Sequence, residues 1–408
     1  MKYCLYAVAA CAVPAGYAHP ALAAPGDPVK VSETLTIDPI IAGRLRYESV
    51  DQENPLANAE AVTLRMRAGA EVRLSNLSLL AEGVGTLAIK DNYNDTNSAN
   101  GIEPYSVIAD PQNVALNRLQ MRYKSDAATF TAGRQRINLD DQRWVGAVGW
   151  RQNEQTFDAV RAETSIGPVR LDGTYAISQR TIFGIDAGPR QSLDGTFFFV
   201  GAGVKAGPVK MKGFAYLLDY DEAFVLANSS QTYGVRASAA FPLSDKAKLS
   251  IAASYARQSD YGSNPFDYAA DYIAGEAGAS IDGFAIKAGY ELLGSDNGRA
   301  MRTPLATLHK FNGWADTFLT TPGAGLQDIY GGASYTFAKG KALPGLKAAI
   351  TYHQFDSDVG GIDYGNEWDA LIGFKIGRVG LLAKYANYNA KGFGVDTKKF
   401  WLQAQFAY

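Results

Sequence analysis

The sequence is poor in three things. It holds two cysteines in 408 residues, Cys4 and Cys11, both at the start of the chain. It holds three histidines, and only His309 and His353 lie beyond the first twenty residues. Beyond the N-terminal segment it has no apolar run near the roughly 18 residues that a membrane-spanning helix requires. The first scarcity excludes a disulfide framework and thiolate metal sites in the body of the chain. The second leaves no histidine cluster for a metal or a catalytic triad. The third excludes helical membrane spans, but a barrel strand needs only about 10 residues of alternation and escapes that test. The chain also lacks a Pro/Ser-rich or charge-run linker, so it reads as one unit rather than several soluble domains. Its 39 basic and 41 acidic residues nearly cancel, which gives no general affinity for nucleic acid.

The start reads "MKYCLYAVAACAVPAGYAHPALAAPGDP". Lys2, an apolar stretch from Leu5 to Val13, and the small-residue pattern Ala21-Leu22-Ala23 predict a secretory signal peptide over residues 1–23. The rival is a lipoprotein box at Val8-Ala9-Ala10-Cys11, but the apolar stretch before Cys11 is too short for it. Residues 24–408 then carry no cysteine. An exported chain of this size without disulfides needs a large cooperative framework of another kind.

What is present is alternation. In "VTLRMRAGAEVRL" one face holds Val62, Leu64, Met66, Ala68, Ala70, Val72 and Leu74. The other holds Thr63, Arg65, Arg67, Gly69, Glu71 and Arg73. Period two is the signature of a β-strand. The pattern recurs along the chain, for example at Val169, Leu171, Gly173, Tyr175 and Ile177, at Tyr233 to Phe241, and in the closing "FWLQAQFAY". Short connections such as Ser75-Asn76, Gly167-Pro168, Gly207-Pro208, Asp282-Gly283 and Gly377-Arg378 alternate with long ones at 90–113, 134–156, 179–194, 258–270 and 294–327. This rhythm predicts an all-β fold, a transmembrane antiparallel β-barrel of about 18 strands, or 16 as the fallback. Its turns would be short on the periplasmic side and its loops long on the extracellular side. Aromatics near strand ends, and Tyr408 at the last position, fit an interfacial girdle and a terminal insertion signal. The apolar faces then meet lipid, and closure leaves no backbone edge in hydrocarbon.

The other faces would line the lumen. Arg44, Arg46, Arg65, Arg67, Arg73, Arg118, Arg122, Arg161 and Arg170 outnumber the inward acids Glu48, Glu71, Glu82, Glu163 and Asp172. A guanidinium fork suits a carboxylate, and a low-dielectric wall concentrates its field. Rows of arginine are a device for anion selection. The alternative is a set of Arg–Glu ladders that fill space and neutralise one another.

Residues 133–161 read "GRQRINLDDQRWVGAVGWRQNEQTFDAVR". The elements Arg134-Gln135, Asp140-Asp141-Gln142-Arg143, Gly149-Trp150-Arg151-Gln152-Asn153 and Thr156-Phe157-Asp158 resemble the signature of the alginate export family of outer-membrane proteins. The resemblance implies a monomeric barrel with an arginine-rich lumen for a polyuronate. It marks Asp140, Asp141, Gln142, Trp150, Asn153, Phe157 and Asp158 as motif residues. Arg134, Arg136, Arg143 and Arg151 become candidates for a constriction where uronate carboxylates pass. The same charges would equally serve to dock a loop on the inner wall. The chain is shorter than the alginate exporter proper, so reduced plugging loops are expected.

The expected function is a passive channel for an anionic polysaccharide such as alginate, or its oligosaccharides. Its partners would be that saccharide, outer-membrane lipid, and periplasmic export or uptake machinery. The alternative is a general diffusion porin taking up small anions or sugars. Catalysis is not expected: no Gly-x-Ser-x-Gly elbow exists, and the two histidines lie far apart in sequence. "GAGVKAG" at 201–207 lacks the Gly-Lys-Ser/Thr ending of a phosphate loop. No metal or other cofactor is expected, since the loop acids Asp91 and Asp95 read as solvated charges rather than a Ca²⁺ set.

Overall fold

The structure, a computed structural model, describes residues 28–97, 104–337, 343 and 345–407. The predicted signal peptide and Tyr408 lie outside the described residues.

Eighteen antiparallel strands close on themselves, as the alternation predicts. They are β1 (Leu35–Gln52), β2 (Ala59–Leu74), β3 (Leu77–Asn92), β4 (Asn113–Lys124), β5 (Ala128–Gln135) and β6 (Thr156–Ile166). Then come β7 (Val169–Arg180), β8 (Ser192–Ala206), β9 (Val209–Tyr220), β10 (Ser230–Pro242), β11 (Ala247–Asp260) and β12 (Ala269–Ile281). The last are β13 (Phe284–Leu293), β14 (Leu326–Thr336), β15 (Lys347–Asp356), β16 (Asp363–Ile376), β17 (Val379–Ala390) and β18 (Thr397–Ala407). Each pairs with its neighbour in sequence, and β18 returns to β1 with Ala42 opposite Ala407 and Gln52 opposite Thr397. Closure removes both sheet edges, the condition for a sheet to stand in lipid.

The hairpin chemistry is local. Gly167 and Gly207 each sit first in a two-residue turn with φ 57°, followed by a proline. A positive φ there matches the twist of the flanking strands, and glycine takes it without a Cβ clash. Asp282 and Gly283 both have positive φ, 46° and 85°, as a mirror-image turn requires.

Burial follows parity. Leu77, Leu79, Leu87 and Ile89 are exposed on β3, while Ser78, Leu80, Glu82, Val84 and Thr86 are buried. The exposed row faces lipid, and the buried row faces the interior. Outward aromatics such as Tyr123, Phe130, Tyr233, Tyr255, Phe284 and Trp368 stand exposed on the wall, which suits an interfacial belt.

The interior is filled from one end. The 136–155 and 294–325 connections turn into the barrel and pack on each other. The first turns inward just after Gly133, whose φ is 109° and whose site would drive a Cβ into the Leu119 carbonyl oxygen. Ile137, Leu139, Val145 and Trp150 from this loop share one buried cluster with Met301, Leu305, Trp314 and Phe318 from the other. Gly146 N–H donates to the Leu305 oxygen at 2.8 Å, and Thr307 N–H donates to the Gln142 oxygen at 3.1 Å. The loops thus hold each other as well as the wall.

Candidate functional site

β1 and β2 project the first arginines inward by strand parity. Arg44 opposes Arg65 in register, and Arg46 opposes Thr63. Arg44 Nη1 donates to the Trp150 oxygen at 2.9 Å, and Nη2 donates to the Gly149 oxygen at 3.1 Å. Arg46 is fully buried, donates to the Trp150 oxygen at 2.7 Å and to Gln403 Oε1 at 2.6 Å, and lies 4.0 Å over the Trp150 ring. The motif backbone is therefore held by the wall's guanidinium groups. Arg67 faces Glu154 at 3.0 Å, and Arg136 also bonds Glu154. Arg118 grips Glu82 with two bonds of 3.0 and 2.7 Å. Arg65 is 3% exposed, yet its Nε and Nη1 meet no acceptor among the described residues, and neither does Arg44 Nε.

The motif loop reaches every side of the lumen. Asn153 Oδ1 accepts from Thr86 at 3.0 Å, and Gln152 Nε2 donates to Thr63 Oγ1 at 2.8 Å. Asp140 lies 3.3 Å from Lys212, and Asp141 lies 2.6 Å from Arg236. Gln142 Oε1 accepts from Thr307 Oγ1 at 2.8 Å. Arg143 pairs with Glu291 at 2.9 Å. Arg151 spans Glu48 at 3.3 Å and Asp316 at 2.7 Å. Phe157 is buried edge-on against Phe199. Asp140, Gln142 and Val148 have φ of 49°, 70° and 52°. A β-branched residue in that region is strained, so the docking contacts hold the backbone there.

Arg134 is a correction to the sequence reading. It was expected in the constriction, but it shares its face with Phe130 and Ala132 and opposes the lipid-facing Leu119. Its fork binds Asp158 at 2.8 and 2.7 Å on the outer face of the wall. Asp158 goes with it, while Phe157 points inward. Arg134→Ala should therefore leave ion preference unchanged. A changed reversal potential in that variant would contradict the placement.

A second tier lies towards the short turns. Arg73 pairs with Asp38 at 2.9 Å and Glu71 at 2.6 Å, and Arg161 pairs with Glu163 at 2.8 Å. Arg122 and Arg170 are exposed on inward-facing positions, with no carboxylate in ion-pair range among the described residues.

The sequence reading passed over a third group, where the 294–325 loop meets the opposite wall. His309 stacks on Trp150 with centroids 4.5 Å apart and planes 6° apart, and Trp401 stands edge-on to both. His309 Nδ1 lies 2.7 Å from Asp316 Oδ1, and its Nε2 lies 2.7 Å from Lys384 Nζ. With the ring neutral, an Nδ1–H donated to Asp316 leaves Nε2 to accept from Lys384. Burial and the Lys384 charge hold His309 well below the usual histidine range. Burial alone would raise the Asp316 carboxyl, but His309, Lys399 and Arg151 bring it well below its ordinary value. Glu367 accepts from the Trp314 and Ala315 N–H groups at 2.5 and 2.7 Å. His353, inward on β15, bonds Asp328 at 2.9 Å. Parity placed Glu367, Lys384 and Lys399 on inward faces, and that was the available signal.

Comparison with known proteins agrees with the barrel fold. Residues 94–292 match the model of the alginate export family. No curated protein matches the sequence. The outer membrane protein opdK of Pseudomonas aeruginosa is similar in fold, with TM-score 0.72 and 13% identity over 91% of this chain and 98% of that one. OccAB4 of Acinetobacter baumannii gives 0.70 and 12%, over 92% and 98%. OpdK of Pseudomonas aeruginosa solved with vanillate gives 0.68 and 14%, over 91% and 98%.

Proposed function

We propose that this bacterial outer-membrane β-barrel channel, with its alginate-export segment at 94–292, passes acidic saccharides. The cargo is an anionic polysaccharide such as alginate, or its oligosaccharides, and passage is passive through a monomeric barrel. The observation that carries the reading is the surplus of arginine over acid in the N-terminal wall. Arg65 and Arg44 keep guanidinium nitrogens without acceptors, and Arg122 and Arg170 stand exposed without carboxylates in ion-pair range among the described residues. A low-dielectric wall concentrates the field of such a surplus, and the guanidinium fork matches a carboxylate. The similar OpdK barrel was solved with vanillate, a small aromatic carboxylate, which is consistent with anionic cargo.

A second reading is supported by the inturned loops. They narrow the lumen, which favours small anions or sugars over a polymer. Periplasmic machinery and concentration gradients would then set the direction of flow.

The test neutralises the exposed tier. The variant carrying Arg122→Gln and Arg170→Gln, held in a planar bilayer under a salt gradient, should lose most of its anion preference. An unchanged reversal potential would refute the reading. Uronate oligomers of rising length separate the two cargoes, since a polymer path stays accessible to long oligomers and a small-solute path does not.

A further inference from the structure

Asp316 sits in an unusual place for a loop residue. Its Oδ2 lies 2.7 Å from Arg151 Nη2 and 3.2 Å from Lys399 Nζ, and its Oδ1 lies 2.7 Å from His309. Its own backbone has φ 61°, a left-handed conformation that a residue with a Cβ adopts only when its surroundings hold it. Two residues of this loop just before it, Asn312 and Gly313, also have positive φ, 55° and 83°. The loop is bent to deliver one carboxylate to a preformed cationic site.

The site belongs to other parts of the fold. Arg151 comes from the motif loop and also meets Glu48 at 3.3 Å. Lys399 is on β18, is buried, and has no other carboxylate in ion-pair range among the described residues. Lys384 is on β17, with Nζ 4.1 Å over the Trp150 ring and 5.3 Å from that of Trp401. The 294–325 loop supplies Asp316, His309 and Trp314. Its withdrawal would leave Lys399 and one edge of Arg151 without an anion, beside the freed faces of Trp150 and Trp401. Leaving buried cations unpaired is costly, so the loop departs readily only when another anion takes the place of Asp316.

Cations beside flat aromatic faces are matched by a carboxylate carried on a pyranose ring. The carboxylate meets the arginine and lysine, and the apolar C–H face of the ring lies on indole. We propose that Asp316 is a built-in stand-in for a uronate: the 294–325 loop closes the channel as a pseudo-ligand, and a uronate residue competes for the Arg151–Lys399 site and opens it. This rests on the acidic-saccharide reading above. It adds a gate, a ligand class and the residues that hold the ligand.

The experiment uses the full barrel in planar bilayers, with glucuronate, glucose or acetate added under symmetric salt. Wild-type protein should spend several-fold more time open with glucuronate, and should respond neither to glucose nor, at the same concentration, to acetate. Asp316→Asn should be open several-fold more without ligand. Lys399→Gln in the Asp316→Asn background should weaken glucuronate binding, read by tryptophan fluorescence, at least tenfold. An Asp316→Asn channel with wild-type gating, or equal responses to glucuronate and glucose, would overturn the proposal. If Asp316→Asn gives no folded barrel, tryptophan fluorescence of the wild type decides. A saturable change with glucuronate and none with glucose supports the gate, and no saturable change overturns it. The reversal potential under a salt gradient reports ion preference independently of gating, so failure of the gate is distinguishable from failure of the acidic-saccharide reading.

Discussion

Glu154→Gln is expected to lower the unfolding free energy of the barrel by about 3–5 kcal/mol, the range for removing one partner from a buried charge pair. Glu154 is buried on the motif loop, accepts from Asn117 at 2.6 Å, bonds Arg136, and faces Arg67 at 3.0 Å. Glutamine keeps the shape and loses the charge. Arg67 would then have no carboxylate in ion-pair range among the described residues, and Arg136 would keep only Glu82 at 3.8 Å, which Arg118 already grips. The shift would be read as a fall in the denaturant midpoint of protein refolded in lipid vesicles. The same residue sets an acid limb. Burial alone would raise the Glu154 carboxyl, but the charges of Arg136 and Arg67 bring it far below its ordinary value of 4.5. A group depressed in the folded state contributes its full stabilisation above the unfolded value, and loses it as pH falls through the folded value. Wild-type stability should therefore fall on acidification below about pH 4.5, and the variant should fall less steeply there. Equal acid limbs in the two proteins would contradict this role.

Trp150→Ala should have an effect of similar size by a different route. The side chain is buried, stacked on His309, and covered by Arg46 at 4.0 Å and Lys384 at 4.1 Å. Removing a buried tryptophan costs about 3–5 kcal/mol through lost transfer energy and the cavity left behind. It would also separate the two inturned loops, which meet at this ring. Both a lower midpoint and a larger, noisier single-channel current are expected. Trp368→Ala is the control: that ring faces outward and is 47% exposed, so its loss should change current little. Matching currents in the two variants would place the loop contact elsewhere.

Much of this was legible because a barrel writes its wall in period two. The Val62 to Leu74 face points to lipid and the Arg65, Arg67 face points inward, with no long-range information needed. Eighteen strands emerge because the turns are local, as at Gly167-Pro168. The plug was less legible. Arg151 meets Asp316 across 165 residues of sequence, and Arg46 meets Gln403 across 357. Parity says that Lys384 and Glu367 face inward but not which loop residue arrives there. Arg134 shows the opposite failure. Its parity with Phe130 pointed outward, but its membership in the motif suggested the lumen. The motif turns out to have two parts, one docking the loop and one pairing strands on the outside.

The central claim is that inward arginine makes this wall a path for acidic saccharide. Its most direct test is the single-channel current of the refolded barrel under a salt gradient, with polyuronate then added to one side. Anion preference and a saturable, concentration-dependent change of the current with polyuronate are expected, with no change from a neutral polysaccharide of equal length. A channel without ion preference, indifferent to polyuronate, would show that the arginines only tie the loops to the wall.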